Sequence, residues 1–219
     1  MAKSQVWLRD PATAQRGLAT FAASLFVFHQ LPAVVGGHAG DAIDLVTPFS
    51  VVGAAAAVLL AAQARGAPLV LAAIAAVLYV DGHGIHLAAN SIGHESLSGD
   101  ARDVTRFWDE LFGHIEWHVG WIGLLAAFCL AERGPTTFAP WMVVTTVALL
   151  GFTLFTSGVE GGTWWLMLAA AAVFVPWAVR RRRALLVVCA SSLALAAALI
   201  GVWAVWHSGL PQFSEVGFI

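Results

Sequence analysis

The sequence predicts an all-α integral membrane protein: a polytopic bundle of seven transmembrane helices in a single domain. Two observations support this prediction. Hydrophobic residue types make up 59% of the 219 residues while charged residues make up only 11%, and the mean hydropathy is +0.80. An ordinary soluble domain carries about 25% charged residues. With a net charge of −2, the chain also lacks the basic face that nucleic-acid binding requires.

Seven stretches are long enough to cross a bilayer as helices, which takes about 20 mostly apolar residues each. They lie at roughly 16–36, 43–64, 68–90, 107–131, 137–157, 163–179 and 184–206. Their apolar runs lack the alternation of polar and apolar residues that marks membrane β-barrels. We therefore expect one domain over 1–219, with a short amphipathic segment at 1–15 and a tail at 207–219.

The basic residues predict the orientation of the bundle, because they concentrate on the cytoplasmic side of membrane proteins. Only Arg102 and Arg106 fall on the opposite side. The remaining nine of the eleven basic residues share one side: Lys3, Arg9, Arg16, Arg65, Arg133 and Arg180 to Arg183. The N-terminus is thus predicted to be cytoplasmic and the C-terminus extracytoplasmic. The Ala-, Gly- and Arg-rich composition suggests a high-GC bacterium, and we expect the protein to lie in a bacterial plasma membrane.

Histidines and carboxylates are distributed unequally between the two predicted sides. All eight histidines map to the outer half or the outer loops, as do all but Asp10 and Glu132 of the thirteen acidic residues. Asp41 and Asp44 fall in the first outer loop, where solvated charge is the ordinary expectation. Ionisable groups inside a membrane are costly and usually functional, so the concentration of imidazoles predicts a functional site at the outer face.

The end of the third stretch contributes the first half of the predicted site. One helix face carries four polar residues within about 60° of one another: Tyr79, His83, His86 and Asn90. Asp81 points to the opposite side, and His94 follows in the loop. A single intramembrane histidine such as His29 more often hydrogen-bonds a neighbouring helix.

The start of the fourth stretch contributes the second half of the predicted site. Glu110, His114 and His118 follow i, i+4, i+8 spacing and form a continuous stripe on one helix face. Asp109 and Glu116 form a second stripe about 120° away. Because the third and fourth stretches are antiparallel neighbours, both histidine groups lie roughly 10 Å below the outer surface.

This pattern predicts a metal site with histidine ligands. The candidate ligands are His83, His86, His114, His118 and His94, and the candidate supporting residues are Tyr79, Asp81, Asn90 and Glu160. Imidazole and carboxylate suit zinc or iron, with zinc first. Cys129 and Cys189 lie toward the other half of the membrane, which argues against a soft copper site.

The first predicted function is a zinc-dependent membrane hydrolase that acts on a lipid ester or amide near the outer face. Zinc would activate a water molecule, and Glu110 or Asp109 would accept its proton, with Glu116 as a further carboxylate. Arg102 and Arg106 would hold an anionic headgroup. The tail is apolar enough to lie back on the bundle mouth, as a lid or as an interfacial anchor.

The span number and the pair His114-x-x-x-His118 resemble the CREST superfamily of seven-span hydrolases, which includes alkaline ceramidases and adiponectin-type receptors. The resemblance implies a three-histidine zinc site within the bilayer. In that superfamily the HxxxH pair lies in the last span, whereas here it lies in the fourth, and the Ser-x-x-x-His element is not matched beside it.

The alternative function is a membrane oxidoreductase with a His-rich di-iron or haem centre, either similar to lipid hydroxylases and desaturases or linked to quinol. The number of histidines and carboxylates exceeds what one zinc ion needs, which favours this alternative. A transporter is disfavoured, because no ionisable residue in the inner half of the membrane would continue a path from the cluster.

Overall fold

The computed structural model describes residues 11–93, 98–132 and 139–218, and over these residues the chain is all-α with no strand. The α-helices are α1 (Pro11–Val35), α2 (Gly37–Ala61), α3 (Ala67–Gly93), α4 (Asp100–Arg106), α5 (His114–Ala131), α6 (Pro140–Glu160), α7 (Trp164–Arg181) and α8 (Ala184–His207). A π-helical segment, Phe107–Gly113, joins α4 to α5, and a 3₁₀ turn, Ser214–Val216, lies in the tail.

Six helices of the described residues are long and apolar enough to cross a membrane. They are α1, α2, α3, the continuous rod Asp100–Ala131, α6 and α8. The stretch predicted at 163–179 also folds as a helix, α7, but this helix has 18 residues with Arg180 and Arg181 in its last turn, and it is not one of the six. The protein is thus an all-α chain with six helices suited to a membrane.

The closest helix pair in the bundle is α3 and α5, which pack along most of their length. Glycines permit this approach. A Cβ atom on Gly82 would clash with the backbone nitrogen of Trp117, and one on Gly120 would clash with the backbone nitrogen of Tyr79. Small residues allow backbones to approach in this way in membrane bundles. The pairing aligns the polar residues near the end of α3 with those at the start of α5, and we call this end of the bundle the polar end.

The opposite end of the bundle is fastened by Glu132, which is only 3% exposed. Its carboxylate accepts hydrogen bonds from the backbone N–H groups of Ala184 and Leu185, at 3.0 and 3.1 Å. A carboxylate at a helix N-terminus satisfies unpaired N–H groups and interacts favourably with the helix dipole. Glu132 therefore joins the end of α5 to the start of α8. Cys129 and Cys189 are free and buried in the same two helices.

We expect Gly82→Ala to destabilise the protein by about 1–3 kcal/mol, the usual cost of overpacking, because its methyl group meets the backbone of α5. Gly84→Ala, on the same helix, is the matched control, since open space surrounds its Cβ position and alanine favours helix. Thermal unfolding in detergent measures both variants. Equal melting temperatures for the two variants would show that the α3–α5 contact is not tight.

Candidate metal centre

Three ligand-type side chains meet at the polar end: His86 from α3, Asp109 from the π-helical segment and His114 from the first turn of α5. Their ligand atoms all lie within 4.8 Å of one another. The Nδ1 atom of His86 lies 2.6 Å from Oδ1 of Asp109, and the ring centroids of His86 and His114 are 4.4 Å apart. Among the described residues this is the only group of three that could hold a metal ion.

Asp109 lies in a different register from the one that α-helical spacing predicts. The sequence places it on a stripe about 120° from His114, which assumes a regular α-helix. Residues 107–113 form a π-helix instead, in which hydrogen bonds reach one residue further and the side chains are rotated. Gly113 permits this geometry beside α3, because its Cβ position lies 3.0 Å from the backbone nitrogen of His86. The chain is therefore π-helical at the point where Asp109 comes within hydrogen-bond distance of His86.

Two imidazoles and one carboxylate are a ligand set used by zinc enzymes and by mononuclear iron oxygenases. The 2.6 Å separation of His86 and Asp109 is a hydrogen-bond distance, with Nδ1–H donating to the carboxylate. Two ligand atoms about 2.0–2.1 Å from one tetrahedral zinc ion lie roughly 3.4 Å apart. A movement of less than about 1 Å would thus turn the hydrogen-bonded pair into a ligand pair.

His83 and His118 lie outside this group of three, each with one ring nitrogen held by a neighbouring helix or turn. Nε2–H of His83 donates to the backbone carbonyl of Asp44 at 3.0 Å, and Nδ1 of His118 lies 2.7 Å from Oγ1 of Thr163. The other nitrogen of each ring is buried and has no hydrogen-bond partner among the described residues. Histidines held at one nitrogen in this way are typical of metal sites. The predicted ligand His94 lies outside the described residues.

Trp117 lies at the centre of the histidine cluster. Its ring contacts those of His29, His83 and His118 with centroid separations of 5.0, 4.7 and 5.2 Å, and it also contacts His86 and His114. A single indole therefore touches all five of the bundle's clustered imidazoles.

His29 also hydrogen-bonds a second helix. Its Nε2 lies 3.1 Å from the hydroxyl of Tyr79 on α3. This confirms the interhelical hydrogen bond expected for His29, and it places Tyr79, a predicted supporting residue, in the same cluster.

The other predicted carboxylates separate into two groups. Glu110 and Glu160 hold the C-terminal tail: Glu110 accepts a hydrogen bond from the Gln212 side chain at 3.1 Å, and Glu160 accepts one from the Phe213 N–H at 2.7 Å. Glu116 and Asp81 interact with each other electrostatically. Asp81 is exposed, whereas Glu116 and the remaining predicted residue, Asn90, are half-buried.

Besides His29 and Trp117, three residues that hydrogen-bond the predicted site residues were not predicted themselves: Asp44, Thr163 and Gln212. The sequence places Asp44 in a solvated outer loop, but α2 begins at Gly37, so Asp44 lies inside the helix and reaches His83. An acidic residue so close to an apolar stretch needs a polar partner, and this requirement is the signal in the sequence that indicates a contact of Asp44. Gln212 gives no such signal, because its contact with Glu110 joins positions 102 residues apart.

Comparisons with known proteins do not place this chain in a family. No protein-family model matches it, and no similar protein was found among curated proteins or solved structures. The functional interpretation of the site is therefore drawn from the geometry of its own residues.

We expect the purified protein to bind about one zinc ion per chain. Each of the substitutions His86→Ala, His114→Ala and Asp109→Asn should weaken zinc binding by at least about 100-fold. This is a larger effect than the loss of a residue that only orients a ligand. Competition with a chromophoric chelator measures the affinity. His38→Ala is the matched histidine control, because His38 is fully exposed on α2. Equal affinities in all four variants would exclude this site.

Proposed function

We propose that the protein is a metal-dependent integral membrane hydrolase that cleaves an ester or amide bond of a lipid near the outer membrane face. The observation that carries the proposal is the convergence of His86, Asp109 and His114, which offers three ligands to one metal ion. Zinc is the proposed metal. A zinc ion with three protein ligands keeps a fourth position for water and lowers the pKa of that water to about 7.

Glu110 is the proposed general base. It follows Asp109 directly in the chain, and its carboxylate is not part of the ligand group. Its half-buried side chain accepts a hydrogen bond from the Gln212 side chain. Asp109 is engaged with His86, and Glu116 is likewise not part of the ligand group. A positioned carboxylate that takes the proton of the attacking water contributes about 10²–10⁴-fold to the rate.

The surroundings of Asp109 and Glu110 favour a lipid substrate. Four large apolar side chains of the same π-helical segment are exposed: Phe107, Trp108, Leu111 and Phe112. Exposed apolar groups of this kind suit contact with the acyl region and the interface of a membrane. Arg102 and Arg106 are exposed on the preceding helix α4, and they supply positive charge for an anionic headgroup.

We further propose that α7 is a seventh, short span, that the N-terminus is cytoplasmic and that the metal site faces the extracytoplasmic side of a bacterial plasma membrane. The four consecutive arginines Arg180 to Arg183 occupy the last turn of α7 and the short connection to α8, as expected of a cytoplasmic loop. Seven spans place the C-terminal tail and the site on the same, outer side.

This topology predicts that alkaline phosphatase, which is active only outside the cytoplasm, is active when fused after Ile219 and inactive when fused in the loop at 62–66. Enzyme activity in intact bacterial cells measures both fusions. A bundle of six spans would leave both termini on one side, and the C-terminal fusion would then be inactive.

A mononuclear iron oxidoreductase is the second candidate, because two histidines and one carboxylate also bind iron in oxygenases. The single group of three ligands among the described residues favours one metal ion over a di-iron centre. Metal analysis separates the two candidates: zinc with oxygen-independent lipid cleavage supports the hydrolase, whereas iron with oxygen consumption supports the oxidoreductase.

We expect Glu110→Gln to lower kcat for a cleaved lipid ester or amide by about 10²–10⁴-fold, because the amide cannot accept the proton, while the bound zinc is retained. A panel of fluorogenic phospholipid and sphingolipid substrates in mixed micelles measures the activity. Asp103→Asn, an exposed carboxylate on α4, is the control. Full activity in Glu110→Gln would exclude Glu110 as the base.

A further inference from the structure

The C-terminal tail folds back over the polar end of the bundle. Helix α8 ends at His207, and Ser208, in the left-handed conformation with φ of 53°, reverses the chain. The indole N–H of Trp203 then donates to the carbonyl of Pro211 at 2.9 Å. Phe213 is only 9% exposed, because its ring packs against Trp203 and Phe155 with centroid separations of 4.6 and 5.5 Å. The tail is therefore a packed part of the fold.

Two carboxylates of the polar end hold this tail. Oε2 of Glu160, the last residue of α6, accepts hydrogen bonds from the backbone N–H groups of Phe213 at 2.7 Å and Ser214 at 3.2 Å. Oε2 of Glu110 accepts one from the side-chain amide of Gln212 at 3.1 Å. Hydrogen bonds to a charged carboxylate are stronger than those between neutral groups. One of the two carboxylates is the proposed base, so the tail enters the site itself.

The turn after α6 lies against one of the proposed metal ligands, and the Gln212 side chain of the tail lies near the same turn. The Cβ position of Gly161 lies 2.9 Å from Cδ2 of His114, and that of Gly162 lies 3.9 Å from the side-chain nitrogen of Gln212. The ring of His114, which is 7% exposed, thus lies against the turn whose next residue, Gly162, has the Gln212 side chain near its Cβ position.

We propose that the segment 209–218 completes the site, with Gln212 as a positioning residue for Glu110 and with the segment as a cover over His114. The inference rests on the proposed function, because Gln212 acts through the proposed base. The Gln212 N–H occupies one carboxylate oxygen of Glu110 and fixes the orientation of the group, while the second oxygen stays available to take a proton. Glu160 and the Phe213 ring hold Gln212 in place.

The cover is tested on the metal-free protein by modification with diethylpyrocarbonate, which acylates accessible imidazoles. We expect Glu160→Ala and Phe213→Ala to raise the rate of His114 modification at least fivefold, as followed by peptide mass spectrometry. Ser214→Ala is the matched control, because Glu160 contacts the backbone N–H of Ser214. Exposed His38 is the internal standard, and a cooperative thermal unfolding transition shows that the variants are folded. An unchanged rate at His114 would overturn the cover.

The positioning role is tested by a double-mutant cycle on lipid cleavage. We expect Gln212→Ala to lower kcat about tenfold with little change in KM and no loss of zinc, and to have no further effect in the Glu110→Gln background. Residues that act through one another are non-additive in this way. Independent, multiplying effects of the two substitutions would overturn the positioning role.

These experiments separate the inference from the proposed function. Lipid cleavage that is insensitive to Gln212→Ala, together with a rate of His114 modification that is insensitive to Glu160→Ala and Phe213→Ala, would overturn the inference and leave the hydrolase proposal in place. A wild-type protein that cleaves no lipid would overturn the hydrolase proposal and the positioning role together, and the rate of His114 modification would still decide whether the tail covers the site.

Discussion

The close backbone contact between α3 and α5 is the constraint on which the rest of the structure depends. Gly82, Gly113 and Gly120 leave no room for a side chain between the two helices. This approach brings the last turns of α3 beside the first turn of α5, so that the rings of His86 and His114 lie tilted against each other with centroids 4.4 Å apart. The π-helical segment between α4 and α5 then carries Asp109 to His86.

The polar groups of the cluster must also satisfy one another, because an unpaired polar group inside an apolar bundle costs several kcal/mol. Most of the histidines achieve this with one partner each: His29 with Tyr79, His83 with Asp44, and His118 with Thr163. Only His86, Asp109 and His114 gather as three ligand groups among the described residues. The cluster thus combines interhelical hydrogen bonds with one group suited to a metal ion.

At each end of the bundle a carboxylate accepts hydrogen bonds from backbone N–H groups, and the segment that it holds differs between the two ends. At one end Glu132 caps the N-terminus of α8, which belongs to the helical core. Glu160 holds the short tail at the polar end. A carboxylate therefore joins a helix to the bundle at one end and the tail to the bundle at the other, beside the candidate metal centre.

The sequence by itself determined the all-α membrane character and the pairing of two polar segments, because hydropathy and residue spacing are local properties. It also predicted His86, His114 and Asp109 as site residues. Only the tertiary structure decided that Asp109 meets His86, because residues 107–113 form a π-helix that α-helical spacing does not contain. The contacts of Asp44, Thr163 and Gln212 likewise join residues distant in the chain, and helix packing alone sets such distances.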